Sequence, residues 1–415
     1  MNLNAGDTAW VLVSSSLVML MTPAIGLFYG GMVERKNLLS TIMLSFAALL
    51  VVTVQWVLLG YSLSFGPDIG HFIGGLQWFA LSGVGQAAGP YASNIPHLAF
   101  MLFQMKFAII TPALITGVFV DRVRFSAFIV FALIWTTLVY DPVAHWVWGE
   151  GGWLRAIGSI DFAGGTVVHI TSGVAALAIC FALRKKPRAV DGRFMPVSVP
   201  LTLFGAVLLW FGWFGFNGGS ALAANGIAAQ ALVTTNLAAA AAALTWMVLS
   251  TMDGEPGAVG AATGAVVGLI AITPACGFVD IPSSILIGVI GSVVSYSSIK
   301  LAGKLKIQDP LDVGACHGMG GAWGAVATGI FASKSVNPAG VDGAIHGNWN
   351  LLYAQLVTVA TVAAFTFVST YIIAKVVDKI FHFTVTEEEQ QIGLDVFHYG
   401  NESTPEQGIV VASRS

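Results

Sequence analysis

Charge is what this sequence has least of. Only 9% of its 415 residues are Asp, Glu, Lys or Arg, roughly a third of the share found in soluble domains. So few charges cannot cover a water-facing surface, which excludes a soluble enzyme. Cysteine is nearly as scarce. Cys180, Cys276 and Cys316 are odd in number, lie in apolar stretches and show no C-x-x-C spacing, so they read as packing residues and exclude a disulfide framework or a cysteine metal site. No basic run exceeds Arg184, Lys185, Lys186 and Arg188, and the formal net charge is -3, so nucleic acid is excluded as a partner. Met1 to Trp10 hold Asp7 but no Lys or Arg, so the basic n-region of a cleaved signal peptide is missing and the mature chain is expected to start at Met1.

What is present is apolar. Hydrophobic residues make up 56% of the chain, with 48 glycines and 12 tryptophans, and the mean hydropathy is +0.80. This composition predicts an all-α polytopic membrane protein: closely packed helices with aromatic anchors at the lipid interfaces. Apolar stretches near the ~20 residues a bilayer requires fall at 9–31, 40–65, 97–118, 125–147, 162–183, 197–217, 227–250, 258–276, 283–300, 311–331 and 351–375. Eleven spans put the termini on opposite sides. With the N-terminus outside, 15 of the 18 basic residues face the cytoplasm, Arg155 and Lys334 lie outside, and Lys106 lies within a span. The positive-inside bias therefore predicts N-out, C-in. A twelfth span through 72–89 would leave a poorer split of 13 against 4, and that Gly-rich stretch reads as an extracellular loop. Residues 1–378 form the membrane domain. Beyond Lys379 the composition turns to Thr386, Glu387, Glu388, Glu389, Gln390 and Gln391, so 379–415 is expected to be a cytoplasmic tail.

The two halves resemble each other. Phe28-Tyr29-Gly30-Gly31 ends span 1 much as Phe216-Asn217-Gly218-Gly219 ends span 6. Asp161 precedes His169 by eight residues at the start of span 5, and Asp309 precedes His317 by eight at the start of span 10. Five spans separate them, so the two helices run in opposite directions, and a rise of about 1.5 Å per residue carries each histidine about 12 Å in, near mid-membrane from either face. Inverted repeats collect their functional residues at that depth. A single intramembrane His is best explained by a helix–helix hydrogen bond, but two at mirrored positions point to a site. Gly164, Gly165, Gly173, Gly314, Gly318, Gly320 and Gly321 would let the backbones there approach closely. Two neutral imidazoles offer donors and acceptors to a small neutral polar solute, while an ion in that low dielectric would be costly. The pair alone would also serve a metal or haem, but no third Cys, Asp or Glu ligand is found at midspan and an axial pair suits only haem.

These segments resemble the ammonium transporters, the Amt/Mep/Rh group. The likeness is carried by Asp161-Phe162-Ala163-Gly164-Gly165-Thr166-Val167-Val168-His169, Trp213-Phe214-Gly215-Phe216-Asn217-Gly218-Gly219-Ser220, Phe103-Gln104-Met105-Lys106-Phe107, and Asp312 to His317-Gly318, and it extends over essentially every span. It implies eleven helices, with helices 1–5 repeated inverted as 6–10 and helix 11 added, assembled as a homotrimer with one pore per subunit. It further implies an outer ammonium recruitment site of Trp148, Ser220 and Phe107 with Phe103 beside it, a gate of Phe107 and Phe216, and a pore lined by His169 and His317. Trp148 and Phe107 would offer ring faces to the cation and Ser220 an acceptor. Asp161 is implied as a structural and electrostatic residue, read as a helix N-cap. Without the resemblance, Trp146, Trp148 and Trp153 read as an interfacial aromatic belt and Phe216 as core packing. Lys106 would repel ammonium if it faced the pore, so it is expected to point away, snorkelling or pairing at a subunit interface.

The function this implies is ammonium uptake across the cytoplasmic membrane, with NH4+ deprotonated and NH3 conducted with or without the proton. Neither an enzymatic activity nor a cofactor or metal is expected. Methylammonium is the expected substrate analogue. Glu387-Glu388-Glu389 and Gly393-Leu394-Asp395 resemble the family's regulatory tail, implying a cytoplasmic P-II type signalling protein as partner; a solvated acidic end is the alternative. The tail is expected to order against the basic loops Arg184–Arg193 and Lys300–Lys306. An ammonium sensor with little net transport would keep the same pore, and a haem-bearing redox protein is the other rival.

Overall fold

The structure, a computed structural model, describes residues 3–183 and 196–400. The expected basic loop Arg184–Arg193 and the last residues of the tail, Arg414 included, lie outside the described residues. Helices occupy all eleven apolar stretches: α1 (Ala5–Met32), α2 (Arg35–Phe65), α3 (His97–Phe119), α4 (125–148), α5 (Gly165–Ala182), α6 (Val199–Gly218), α7 (Gly226–Met252), α8 (Ala258–Ile272), α9 (Ile281–Lys304), α10 (314–331) and α11 (Trp349–Phe381). Among the described residues nine are long and apolar enough to cross a membrane; α8 is a shorter apolar helix and α10 falls outside that set.

Local chemistry sets several helix starts. Asn4, Ser198, Asn225, Asp280 and Asn348 each accept a bond from a first-turn N–H of α1, α6, α7, α9 and α11, and proline follows at position 200 in α6 and position 282 in α9. The stretch 72–89 is not a twelfth helical span. It belongs to an irregular segment holding two short antiparallel hairpins, Asp68–Ile69 with Ile73–Gly74 and Ala88–Gly89 with Ala92–Pro96. That segment folds over the bundle end that carries the N-terminus: Trp146 Nε1 donates to Phe72 O (2.7 Å) and His145 Nε2 meets Asp68 Oδ1 (2.9 Å).

Helix approach follows the small residues. Gly205, Gly212 and Gly215 of α6 lie against the backbone of α1, where a Cβ on Gly205 would collide with Phe28 N. A Cβ on Gly173 of α5 would strike the backbone of Gly318 in α10, and one on Gly321 would meet Gly165 O at 2.9 Å. The contacts 165 with 321 and 173 with 318 run in opposite senses, so α5 and α10 cross antiparallel. First helix thus meets sixth, and fifth meets tenth.

Five π-helical turns interrupt the described helices: Trp56–Gly60, Thr136–Tyr140, Gly165–Ile170, Phe214–Gly218 and Gly314–Met319. Such turns widen the backbone locally and re-aim side chains. Three of the five carry His169, Phe216 and His317.

At the opposite end of the bundle, α11 runs on to Phe381, and Phe383 is buried between Phe119 and Phe131, with ring centroids at 5.2 and 5.4 Å. Two short helices follow, α12 (Glu387–Ile392), opened by a Thr386–Glu389 capping box, and α13 (Leu394–Tyr399). The described part of the tail orders against the turns at 34–40 and 121–124, while the Arg184–Arg193 loop expected to hold it lies outside the described residues. Glu389 pairs with Arg124 (2.9 Å), Gln390 Nε2 donates to Asp121 O (2.9 Å), and Asp395 accepts from Leu39 N (2.8 Å) and Ser40 N (2.7 Å) at the start of α2. Lys300 instead pairs with Asp253. The turn at 34–40 presents first-turn backbone donors and the turn at 121–124 a carbonyl acceptor and a guanidinium at the height where α11 ends, which is why they hold the tail.

Candidate functional site

Construction begins at the start of α5. Gly164 sits at φ +112, a conformation that L side chains rarely adopt, and lets the chain turn so that four successive N–H groups point at one carboxylate. Asp161 accepts from Gly164, Gly165, Thr166 (2.8 Å each) and Val167 (3.2 Å). Burial pushes its carboxyl above the usual carboxylate range while these four bonds oppose that shift. Its backbone carbonyl accepts the indole N–H of Trp148 at 2.9 Å. The expected N-cap is therefore also the strut that fixes Trp148 at the end of α4. Asp309, its counterpart before α10, accepts from Gly314 N at 2.7 Å.

From Trp148 inward the aromatic and imidazole rings form a continuous file. Phe107 stands edge-on to Trp148 with centroids 5.9 Å apart, and Phe103 packs edge-on to Phe107 at 4.9 Å. Phe107 lies 4.4 Å from Phe216, Phe216 lies 5.9 Å from His169, and His169 lies 5.4 Å from His317. The two Nδ1 atoms are 3.2 Å apart. One Nδ1 must then carry hydrogen and the other accept it, so a neutral pair holds opposite tautomers. Two imidazolium rings at that separation would repel strongly. The gap is also too short for a bis-histidine axial pair, whose in-line nitrogens at roughly 2.0–2.1 Å from the metal stand about 4 Å apart. No group of three or more His, Cys, Asp or Glu able to hold a metal occurs among the described residues.

Outside the phenylalanines lies a cleft of about 280 Å³ whose lining includes Phe107, Trp148, Asp161 and Ser220. Ser220 Oγ donates to Phe216 O (2.8 Å), leaving its lone pairs to accept from a solute. Arg155 also reaches the lining and donates to Trp148 O (2.8 Å), which puts a fixed positive charge at the rim. Tyr91, whose phenol burial pushes up to about 12, donates to Phe65 O and accepts from Glu150 N, tying the loop after α4 to the cleft wall.

Of the residues singled out from sequence, Trp148, Phe107, Ser220 and Asp161 line the cleft, Phe216, His169 and His317 follow inward from Phe107, and Phe103 packs on Phe107 without reaching the lining. Lys106 is absent from the cleft lining; it is nearly buried, and its Nζ lies 3.9 Å from Met105 Sδ. Three participants were not foreseen: Trp213, stacked on His169 at 5.4 Å, and Gln104 and Arg155 in the cleft. Trp213 and Gln104 stand inside the motifs that carry the resemblance. Arg155 sits in the short helix Trp153–Ala156 after α4, with no pattern to mark it.

Fold and site together define a polytopic membrane protein in which a file of packed rings leads from an outer cleft to two contacting histidines. The chain belongs to the Ammonium Transporter Family, which it matches over residues 9–404. It is 47% identical to an ammonium transporter of Bacillus subtilis, over 96% of this chain and 98% of that one. The crystal structure of Candida albicans Mep2 superposes with a TM-score of 0.87 at 37% identity, covering 93% of this chain and 88% of the other. A solved structure described as a "Sensor Amt Protein" superposes at 0.86 with 29% identity, covering 95% and 98%.

Proposed function

We infer that this protein takes up ammonium across the cytoplasmic membrane by recruiting NH4+ at the outer cleft, where it gives up a proton that either returns to the outer water or follows along the histidines, and by conducting NH3 past the two rings. The observation that carries the reading is the unbroken file of rings from Trp148 to His317, closed by Phe107 and Phe216. A cation is stabilised over aromatic faces and by the Ser220 lone pair, but beyond the phenylalanines the next groups in the file are the Trp213 ring and the imidazoles of His169 and His317, whose nitrogens can hold a neutral amine. Burying it there as an ion costs several kcal/mol, so passage favours the deprotonated form. Potassium has no proton to lose, and a pore working this way selects against it chemically.

In this reading eleven spans run N-out and C-in as two inverted repeats plus α11. The crossings of α1 with α6 and α5 with α10 support the repeat, and the basic residues support the orientation. The assembly is a homotrimer, residues 1–378 form the conducting unit, and the tail offers a cytoplasmic surface to a P-II type protein. Replacing His169 or His317 with Ala should abolish ammonium transport or its discrimination against potassium in liposomes containing the purified protein. Discrimination at the level of the unaltered protein in both variants would reject the pore.

A second reading, an ammonium sensor with little net flux, is favoured by the likeness to the sensor structure. Methylammonium uptake into the same liposomes separates the two: saturable uptake supports the transporter, binding without flux the sensor.

A further inference from the structure

We propose that Gln104 is a direct ligand of the recruited cation, the second oxygen acceptor of the outer cleft beside Ser220. The proposal rests on the recruitment role of that cleft and adds to it a specificity-determining residue. Gln104 lies on α3 four residues after Phe100 and three before Phe107, so the three share one face, and all three line the cleft with Trp148 and Ser220. Its Oε1 is buried and has no hydrogen-bond partner. A buried amide oxygen without a donor is costly and uncommon. Gln355, by contrast, sits in the same bundle with its Oε1 accepting from Ser159 Oγ at 2.7 Å. Gln55 and Asn217 also leave an oxygen unpaired, but their amide nitrogens are tied to Asp141 (2.7 Å) and Thr235 (2.8 Å), well inside the helices. Gln104 combines the missing donor with a place in the wall of a cleft, so a solute rich in N–H groups is what completes it.

Ammonium is such a solute. It has four N–H bonds in a tetrahedron; Ser220 Oγ and Gln104 Oε1 would take two, and the faces of Trp148 and Phe107 would meet the others. Methylammonium replaces one N–H with a methyl group and can use fewer of these acceptors. Gln104 therefore contributes both to affinity and to the preference for ammonium over its analogue. A hydrogen bond to a charged group, partly screened at the mouth of a cleft, is worth about a tenfold change in binding.

The test uses the full chain in proteoliposomes, with radiolabelled methylammonium uptake and its inhibition by ammonium as readouts. Gln104→Leu, which fills similar space without the oxygen, should raise the half-inhibiting ammonium concentration about tenfold and the half-saturating methylammonium concentration by less, with the maximal rate changed least. Gln104→Glu retains an oxygen acceptor and should hold the ammonium value at or below that of the unaltered protein. An unchanged ammonium value in Gln104→Leu, beside a raised one in Ser220→Ala, would overturn the proposal while leaving the cleft as the recruitment site. No change in either variant would overturn both. If Gln104→Leu fails to assemble, Gln104→Glu decides: an ammonium value raised as far as that of Ser220→Ala rejects the ligand role, and one at or below the starting value supports it.

Discussion

At Trp148 the interfacial-belt explanation and the binding explanation part company. A belt tryptophan turns its indole N–H toward headgroups, whereas here the N–H is held by Asp161 O and the ring stands against Phe107 over the cleft. Trp148→Leu should accordingly raise the half-saturating ammonium concentration by a few fold, since a solvent-exposed cation–π contact is worth ~0.5–1 kcal/mol. Ser220→Ala should act in the same direction, and concentration dependence unaltered in both would restore the belt. His169, His317 and Phe216 were legible because mirrored spacing and dense motifs mark them. Gln104 and Arg155 were not. A polar residue inside an apolar helix, or one arginine in a four-residue connecting helix, carries no period, and its role emerges only when α3, α4 and α6 bring distant segments to one cleft.

Single helices show a different limit. The apolar stretches were readable because membrane burial demands length and hydropathy: each of the eleven holds a helix, and among the described residues nine of these are long and apolar enough to cross a membrane. The five π-turns were not readable, since one extra residue over a single turn barely disturbs a 3.6-residue pattern in segments that are apolar all round. Two of these turns flank a polar contact that no motif in the sequence marks. Gln55 at the end of the first part of α2 donates to Asp141 Oδ2 at 2.7 Å, and Ser64 reaches Oδ1 only at 3.4 Å. Asp141 is wholly buried, directly after the turn Thr136–Tyr140. Removing its main donor strands a buried carboxyl. Gln55→Leu should therefore lower stability by about 1–3 kcal/mol, the cost of an unsatisfied buried polar group. Ser64→Ala should cost less. Thermal unfolding of the detergent-solubilised protein measures both, and equal melting temperatures for Gln55→Leu and the unaltered chain would remove Asp141 from the list of buried groups that need a partner.

For the molecule as a whole, the open issue is whether the tail holds the bundle together or acts on it. Its anchors join distant pieces of chain: Asp395 caps the start of α2, while Glu389 and Gln390 hold the turn between α3 and α4. Glu389 is kept below the usual carboxylate range because its bonds to Thr386 N–H and Arg124 outweigh the opposing effect of partial burial. A depressed carboxylate stabilises the docked form above its unfolded value and loses that contribution as pH falls through the folded value, so docking should be firm at neutral pH. The bundle does not depend on these contacts, since apolar spans hold a membrane protein in place. Phe383 is different, because its ring is buried between Phe119 and Phe131. A cut at Lys379 would remove that ring and disturb α3 and α4 for reasons of packing alone. Deleting everything after Thr386 spares it and removes α12 and α13. The shortened protein should assemble and melt like the full chain yet transport ammonium at an altered rate, or no longer be inhibited by a P-II type protein. Assembly, melting, transport and P-II binding all unchanged would leave the acidic segment as a solubilising end that happens to rest on the bundle.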